Sequence, residues 1–269
     1  MYWVGLGLAL VSAVAVNWAY AKEHDAAARL PRLSLREPVE TVRTLLGTPA
    51  WLFAFGVESV GWLIYVVALH LSALALVQAV SASGIAVLAF VSSRGRVHLL
   101  PWRQRASVGI AFAGLVLLGF SLTGVHQSDR PPNAIGSIMW LASCAGAAVL
   151  LITVVPIGLP AARWGFAAGL FFAGGDISAK LVGYRGMWLA ALVPLFILYG
   201  LGTTTLQGAF QRGGALTAAG IAELTTNAVP IAAGFVLFDE ELPAGGQGVL
   251  QVAAFASLVI SATLLARNR

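Results

Sequence analysis

Charge is what this sequence has least of. Only 10% of its 269 residues are Asp, Glu, Lys or Arg, while 59% are hydrophobic. Soluble globular domains carry about 25% charged residues. A fold in water cannot cover so much apolar surface, so lipid is the expected solvent for most of the chain. Thiols are almost as scarce. The lone Cys144 excludes a disulfide within the chain and matches no metal spacing, and it reads as a small packing residue. The phosphate-cradling pattern Gly-x-x-x-x-Gly-Lys-Ser/Thr does not occur, nor do His-Glu-x-x-His and Gly-x-Ser-x-Gly. His24, His70, His98 and His126 fall in separate loops or span ends. Neither an ATP-driven engine, nor an enzyme, nor a cofactor is therefore expected. The net charge of +5 comes without basic residues clustered among base-stacking aromatics, so nucleic acid is not an expected partner. The bilayer and a small solute or cation are.

Apolar runs are what the sequence has instead. Nine can be read, at about 3–20, 50–69, 73–92, 106–123, 135–155, 165–182, 188–206, 215–238 and 247–266, each close to the roughly 20 residues that a spanning helix needs. They do not alternate as barrel strands would, and a backbone in hydrocarbon must bond internally, which makes them helices. The expected fold is an all-α polytopic bundle with a first half over 1–124 (four helices and a long loop at 21–49) and a second over 135–269 (five helices). Within that loop, Val39, Val42, Leu45 and Leu46 recur at helical spacing after Glu37, as in a short amphipathic surface helix.

Lys and Arg set the orientation. Lys22, Arg29, Arg32, Arg36, Arg43, Arg94, Arg96, Arg103, Arg105, Arg163, Arg212, Arg267 and Arg269 fall on one side, and only Arg130 and Arg185 on the other. The positive-inside rule then puts the N-terminus outside and the C-terminus in the cytoplasm of an inner or plasma membrane. Ala19-Tyr20-Ala21 has the form of a cleavage site, but no basic residue precedes the apolar run, so the first span is expected to remain.

Residues from about Ala68 to Leu122 and from about Ala209 to Leu265 share one pattern, an apolar helix, a polar turn and a Gly/Ala-rich helix. Such repeats build many secondary transporters, with the site between the halves. The stretch Gly56-Val-Glu58-Ser-Val-Gly-Trp62-Leu-Ile-Tyr65-Val-Val-Ala68-Leu69 resembles the second helix of the NIPA-type magnesium transporters. Asn227-Ala-Val-Pro230 through Gly234 to Glu240-Glu241-Leu242 resembles the ninth helix of the drug/metabolite transporter superfamily, the EamA-like proteins, and Gly174-Gly-Asp176 with Lys180 is similar to that family's second half. The resemblance implies a transporter built from two inverted halves, here four helices plus five.

An ionisable side chain in hydrocarbon costs at least about 2.5–3.5 kcal/mol, so each needs a reason. Glu58, with Trp62 and Tyr65 at plus four and plus seven, is expected to bind a cation or proton beside an aromatic wall, and a titrating carboxylate there would couple proton flow to solute movement. Glu223, followed by Asn227 and the helix-loosening Pro230, is the matching polar patch of the second half. Asp176 and Lys180 are spaced for an ion pair on one face, which is one reading; a gate or substrate contact is the other. Gln78 on the third span is a further lining candidate. The expected function is secondary transport of a small solute, proton-coupled, lined by Glu58, Trp62, Tyr65, Gln78, Asp176, Lys180, Glu223 and Asn227. One alternative is a Mg²⁺ or other divalent carrier with Glu58, Asp176 and Glu223 as oxygen ligands. Another is a membrane assembly subunit or enzyme. A homodimer is compatible with either transport reading.

Overall fold

The computed structural model describes residues 2–33, 37–71, 80, 84–121, 132–154, 159–184, 186–238 and 245–266. Its helices are α1 (Tyr2–Ala27), α2 (Pro38–Leu46), α3 (Pro49–Leu71), α4 (Gly84–Ser92), α5 (Trp102–Ser121), α6 (Ala134–Thr153), α7 (Pro160–Gly183), α8 (Leu192–Phe210), α9 (Ala215–Leu237) and α10 (Gly246–Ala266). Among the described residues there is no strand. Among the described residues, six helical segments are long and apolar enough to cross a membrane: Trp3–Ala27, Ala134–Thr153, Pro160–Gly183, Gly186–Phe210, Ala215–Leu237 and Gly246–Ala266. Their outer surfaces are apolar as well. Ile135, Phe196 and Val252 are 69%, 71% and 71% exposed, and water would not tolerate a belt of such side chains. The protein is an all-α membrane protein.

The first helix corrects the expected boundary. It continues seven residues past Tyr20, through Lys22, Glu23 and His24, to Ala27. Charge ordinarily marks the exit from a spanning helix, but Glu23 is fully buried against the protein, so the helix loses nothing by carrying it inward. The expected 21–49 loop is correspondingly shorter. It holds α2, which starts with Pro38 in its first turn, where a missing N–H costs nothing. Thr41 and Leu45 of α2 are buried, whereas Val39, Val42 and Leu46 are exposed, as an interfacial helix requires.

Packing is set by small residues. Gly165 and Gly169 of α7 lie against Ala218 and Ala222 of α9. A Cβ on Gly165 would come within 2.5 Å of the Ala218 carbonyl oxygen, and one on Gly169 within 2.6 Å of the Ala222 carbonyl oxygen. Two backbones this close are the small-xxx-small contact of membrane helices. Elsewhere α1 packs along α3 and α4, α7 along α6, α8 and α9, and α5 along α10. The α5–α10 seam carries a reciprocal pair of bonds: Ser107 Oγ donates to the Ser261 carbonyl at 2.9 Å, and Ser261 Oγ to the Ser107 carbonyl at 3.0 Å. Hydroxyls serve this way in lipid because no water competes for them.

One end of the bundle gathers basic residues. A cleft of about 320 Å³ there is lined by Lys22, His24, Asp25, Arg94, Gln104 and Gly214, among others. Gln211, just past α8, closes over the end of α1. Its Nε2 donates to the carbonyls of Ala27 (2.9 Å), Leu30 (3.3 Å) and Pro31 (2.9 Å), and its Oε1 accepts from the Leu33 N–H at 2.9 Å. Those carbonyls include ones a helix terminus leaves without partners. His24 Nε2 donates to the Gly213 carbonyl at 3.1 Å. Beside it the Arg212 guanidinium stacks 3.6 Å from the Trp164 ring centroid. Burial, and then the neighbouring Arg163 and Arg32, hold Arg212 below its ordinary pKa.

Candidate functional site

Carboxyls and phenols from five helices form one polar column inside the bundle. Its first layer lies toward the basic end. Glu23 of α1 accepts a bond from Gln207 Nε2 of α8 on its Oε2 at 2.5 Å. Glu58 of α3 stands within electrostatic range of both Glu23 and Tyr20. Glu58 stands nine residues beyond Pro49, so it lies about 13 Å along its helix at 1.5 Å per residue. Glu223 of α9 stands within electrostatic range of Tyr20. Its Oε2 is shielded from solvent and, among the described residues, has no hydrogen-bond partner.

The second layer lies toward the opposite end. Asp176 of α7 accepts a hydrogen bond from the Tyr199 hydroxyl of α8. Tyr65 of α3 is within electrostatic range of Asp176, and Tyr199 is within range of Tyr65 and Glu58. Tyr199 thus joins the two layers. Gly175 makes room for it: a Cβ at that position would lie 2.9 Å from two carbons of the Tyr199 ring. Gly175→Ala is expected to destabilise the protein by about 1–3 kcal/mol through overpacking. Thermal unfolding in detergent would measure it, and in a Tyr199→Ala background most of that loss should vanish.

Of the residues singled out in the sequence, Glu58, Tyr65, Asp176 and Glu223 are brought into this column. Trp62 is 50% exposed on the outside of α3 and does not line it. Asp176 accepts a hydrogen bond from Tyr199, and the Lys180 ammonium lies 4.0 Å from the Phe238 ring centroid. The i,i+4 spacing allows an ion pair, but a phenol and a ring from other helices reach these groups. Asn227 turns back on its own helix, with Nδ2 donating to the Glu223 carbonyl at 2.8 Å, and Thr226 Oγ1 reaches the Gly169 carbonyl at 3.5 Å. Gln78 lies outside the described residues. Among the described residues no three His, Cys, Asp or Glu side chains are grouped to hold a metal ion, so Glu58, Asp176 and Glu223 are not a ready-made three-carboxylate site.

Sequence reasoning missed Tyr20, Glu23, Tyr199 and Gln207. A signal for the first two exists: Asn17, Tyr20 and Glu23 recur every three residues, which puts them along one side of a helix. Two adjacent charges, Lys22 and Glu23, at the end of an apolar run have the look of a loop, and that hides it.

Chemically, the column offers oxygen donors and acceptors with proton-bearing phenols, set in a dry apolar frame. It contains no thiol, and none of its carboxyls is matched by a cation inside the column among the contacts described above. A polar solute with amine or hydroxyl groups, a metal-aquo ion or a proton would each find partners there. Compared with known proteins, the chain matches no family model, no curated protein and no solved structure.

Proposed function

We propose that the protein is a secondary transporter of small polar solutes. The observation that carries this reading is the column itself. Carboxyls on α1, α3, α7 and α9 converge with Tyr20, Tyr65 and Tyr199 inside a bundle whose outer face is apolar. Ionisable groups at that depth are expensive and mark substrate or ion paths. In this reading the apolar runs at 50–69, 73–92 and 106–123 join the six spans to make nine, with the N-terminus outside and the basic loops in the cytoplasm; most of the stretch 73–83 lies outside the described residues. In this arrangement α1, α3, α4 and α5 form the first half, and α6 to α10 form the second, inverted half of five helices. Packing agrees with such a repeat, because α1 packs on α3 and α4 as α7 packs on α8 and α9. Access would alternate by rocking one half against the other around the column.

The test is a set of binding titrations on the purified protein with small amines, sugars and Mg²⁺, read by intrinsic Trp fluorescence. A saturable response to an organic solute, weakened about tenfold or more (about 1.4 kcal/mol) in Asp176→Asn, is the expected result. A saturable Mg²⁺ response lost in Glu58→Gln, with no organic response, would replace this reading with a divalent cation carrier. Mg²⁺ keeps several of its waters and needs only one or two carboxylates, which Glu58 and its electrostatic neighbour Glu23 would supply.

A further inference from the structure

The cleft at the basic end shares no residue with the polar column, and its walls have a chemistry of their own. Its volume of about 320 Å³ falls within the roughly 300–1,000 Å³ of small-molecule sites. Donors reach it from four separate parts of the chain. Lys22 comes from the end of α1, Arg94 from the turn after α4, and Gln104 from the first turn of α5. The fourth wall is the start of α9, where Gly214 has no side chain to cap the helix and the first N–H groups lack partners within it.

Acceptors are few. The one carboxylate in the lining is Asp25, and it stands 3.7 Å from His24 Nδ1. The other ring nitrogen of His24 is taken by the Gly213 carbonyl at 3.1 Å. Among the described residues, neither Lys22 nor Arg94 has a carboxylate within ion-pair distance; the Lys22 ammonium lies 5.7 Å from the Trp18 ring centroid. Arg94 also occupies a backbone position that disfavours it. The Gly95 N–H donates to the Phe90 carbonyl and the Arg94 N–H to the Val91 carbonyl, both at 2.9 Å, the pair of bonds that closes a helix on a left-handed residue. Glycine is usual there, yet the residue is Arg94 with φ 52°. A side chain retained against the backbone's preference is a pointer to function, and this one lines the cleft.

We propose that the cleft binds a phosphate group, held by the Lys22 ammonium, the Arg94 guanidinium and the start of α9. The inference goes beyond the transport reading and does not depend on it. A guanidinium matches two phosphate oxygens at once, and an ammonium serves as a point charge for another. The helix start adds N–H donors and partial positive charge. Alone it would not make a site; two cations and the Gln104 amide converging on the same cavity do. Lipid headgroups and soluble phosphate compounds present this same group.

The test uses the whole chain in an uncharged maltoside detergent, with thermal unfolding read by Trp fluorescence. One arm adds inorganic phosphate, with sodium chloride at equal ionic strength as its control. The other adds phosphatidylglycerol to the micelles, with phosphatidylcholine as its control. A ligand of the folded state raises the midpoint in a concentration-dependent way. The expected result is a rise beyond the control in at least one arm, with the apparent Kd weakened about tenfold or more in both Lys22→Gln and Arg94→Gly. A rise with phosphate assigns a soluble phosphate compound, and a rise with phosphatidylglycerol alone assigns a lipid headgroup; each supports the site. No rise in either arm, a rise that chloride or phosphatidylcholine reproduces, or a rise that either variant retains in full would overturn the proposal. Glycine suits the left-handed backbone at position 94, so Arg94→Gly should fold as the unaltered chain does and keeps the test decisive if Lys22→Gln does not.

Discussion

A Gly165→Leu, Gly169→Leu double variant is expected to abolish the folded state in detergent. Each new side chain would start from a Cβ already 2.5–2.6 Å from a carbonyl oxygen of α9. A flexible side chain could move aside, but these neighbours are backbone, and α7 would have to separate from α9 along its length. Overpacking costs about 1–3 kcal/mol at a site that can adjust, and two sites one turn apart on a rigid seam will not adjust independently. Size-exclusion chromatography and thermal unfolding would show aggregated protein without a cooperative transition. A control, Val252→Leu on the exposed face of α10, should behave as the unaltered protein. A double variant that elutes and melts normally would mean that α7 and α9 are not in contact through these glycines.

The second large effect is expected at Gln211. Its amide satisfies the carbonyls of Ala27, Leu30 and Pro31 and the N–H of Leu33. Gln211→Ala removes four bonds at a stroke. Net values of about 0.5–1.5 kcal/mol per bond, discounted because part of this segment is exposed and water can replace some of them, leave about 1.5–3 kcal/mol. Local opening of the segment would then rise about tenfold to a hundredfold. Trypsin is the natural reporter, since Arg29 and Arg32 lie within the clasped turn. The initial cleavage rate there should rise by that factor in Gln211→Ala. In Gln104→Ala, at the neighbouring cleft, it should stay near the unaltered rate. An unchanged rate in Gln211→Ala would show that the turn is held by its own packing, for instance by Leu33, which is buried.

How much of this could be read from residues alone differs by scale. Six of the apolar runs reappear as helices long enough to span, because hydrocarbon leaves a backbone few other options. Glu58, Asp176 and Glu223 announced themselves as charges surrounded by apolar sequence. Glu23 did not, because it follows Lys22 at a helix end, where a charge ordinarily meets water; only the Gln207 amide, 184 positions away, shows that it faces inward. Partner choice was equally hidden. Asp176 and Lys180 look paired on a helical wheel, but Tyr199 and Phe238 come to them from α8 and from the end of α9. Local spacing says who can touch within a helix; it cannot say which neighbouring helix brings something better.

The exposed apolar belt has a consequence for how such a chain changes over generations. On that face Val60, Leu63, Phe196, Val252 and Val259 meet only lipid, and one apolar side chain there does much the same work as another. Inside, a Cβ on Gly165 or Gly169 would run into α9 backbone and one on Gly175 into the Tyr199 ring, and Glu23 and Gln207 must match each other. Drift would therefore run at two speeds, fast over the outer surface and nearly stopped along the α7–α9 seam and the polar column. A library of single substitutions scored for folding should separate into those same two populations, with the slow one marking the protein's interior more sharply than hydrophobicity does.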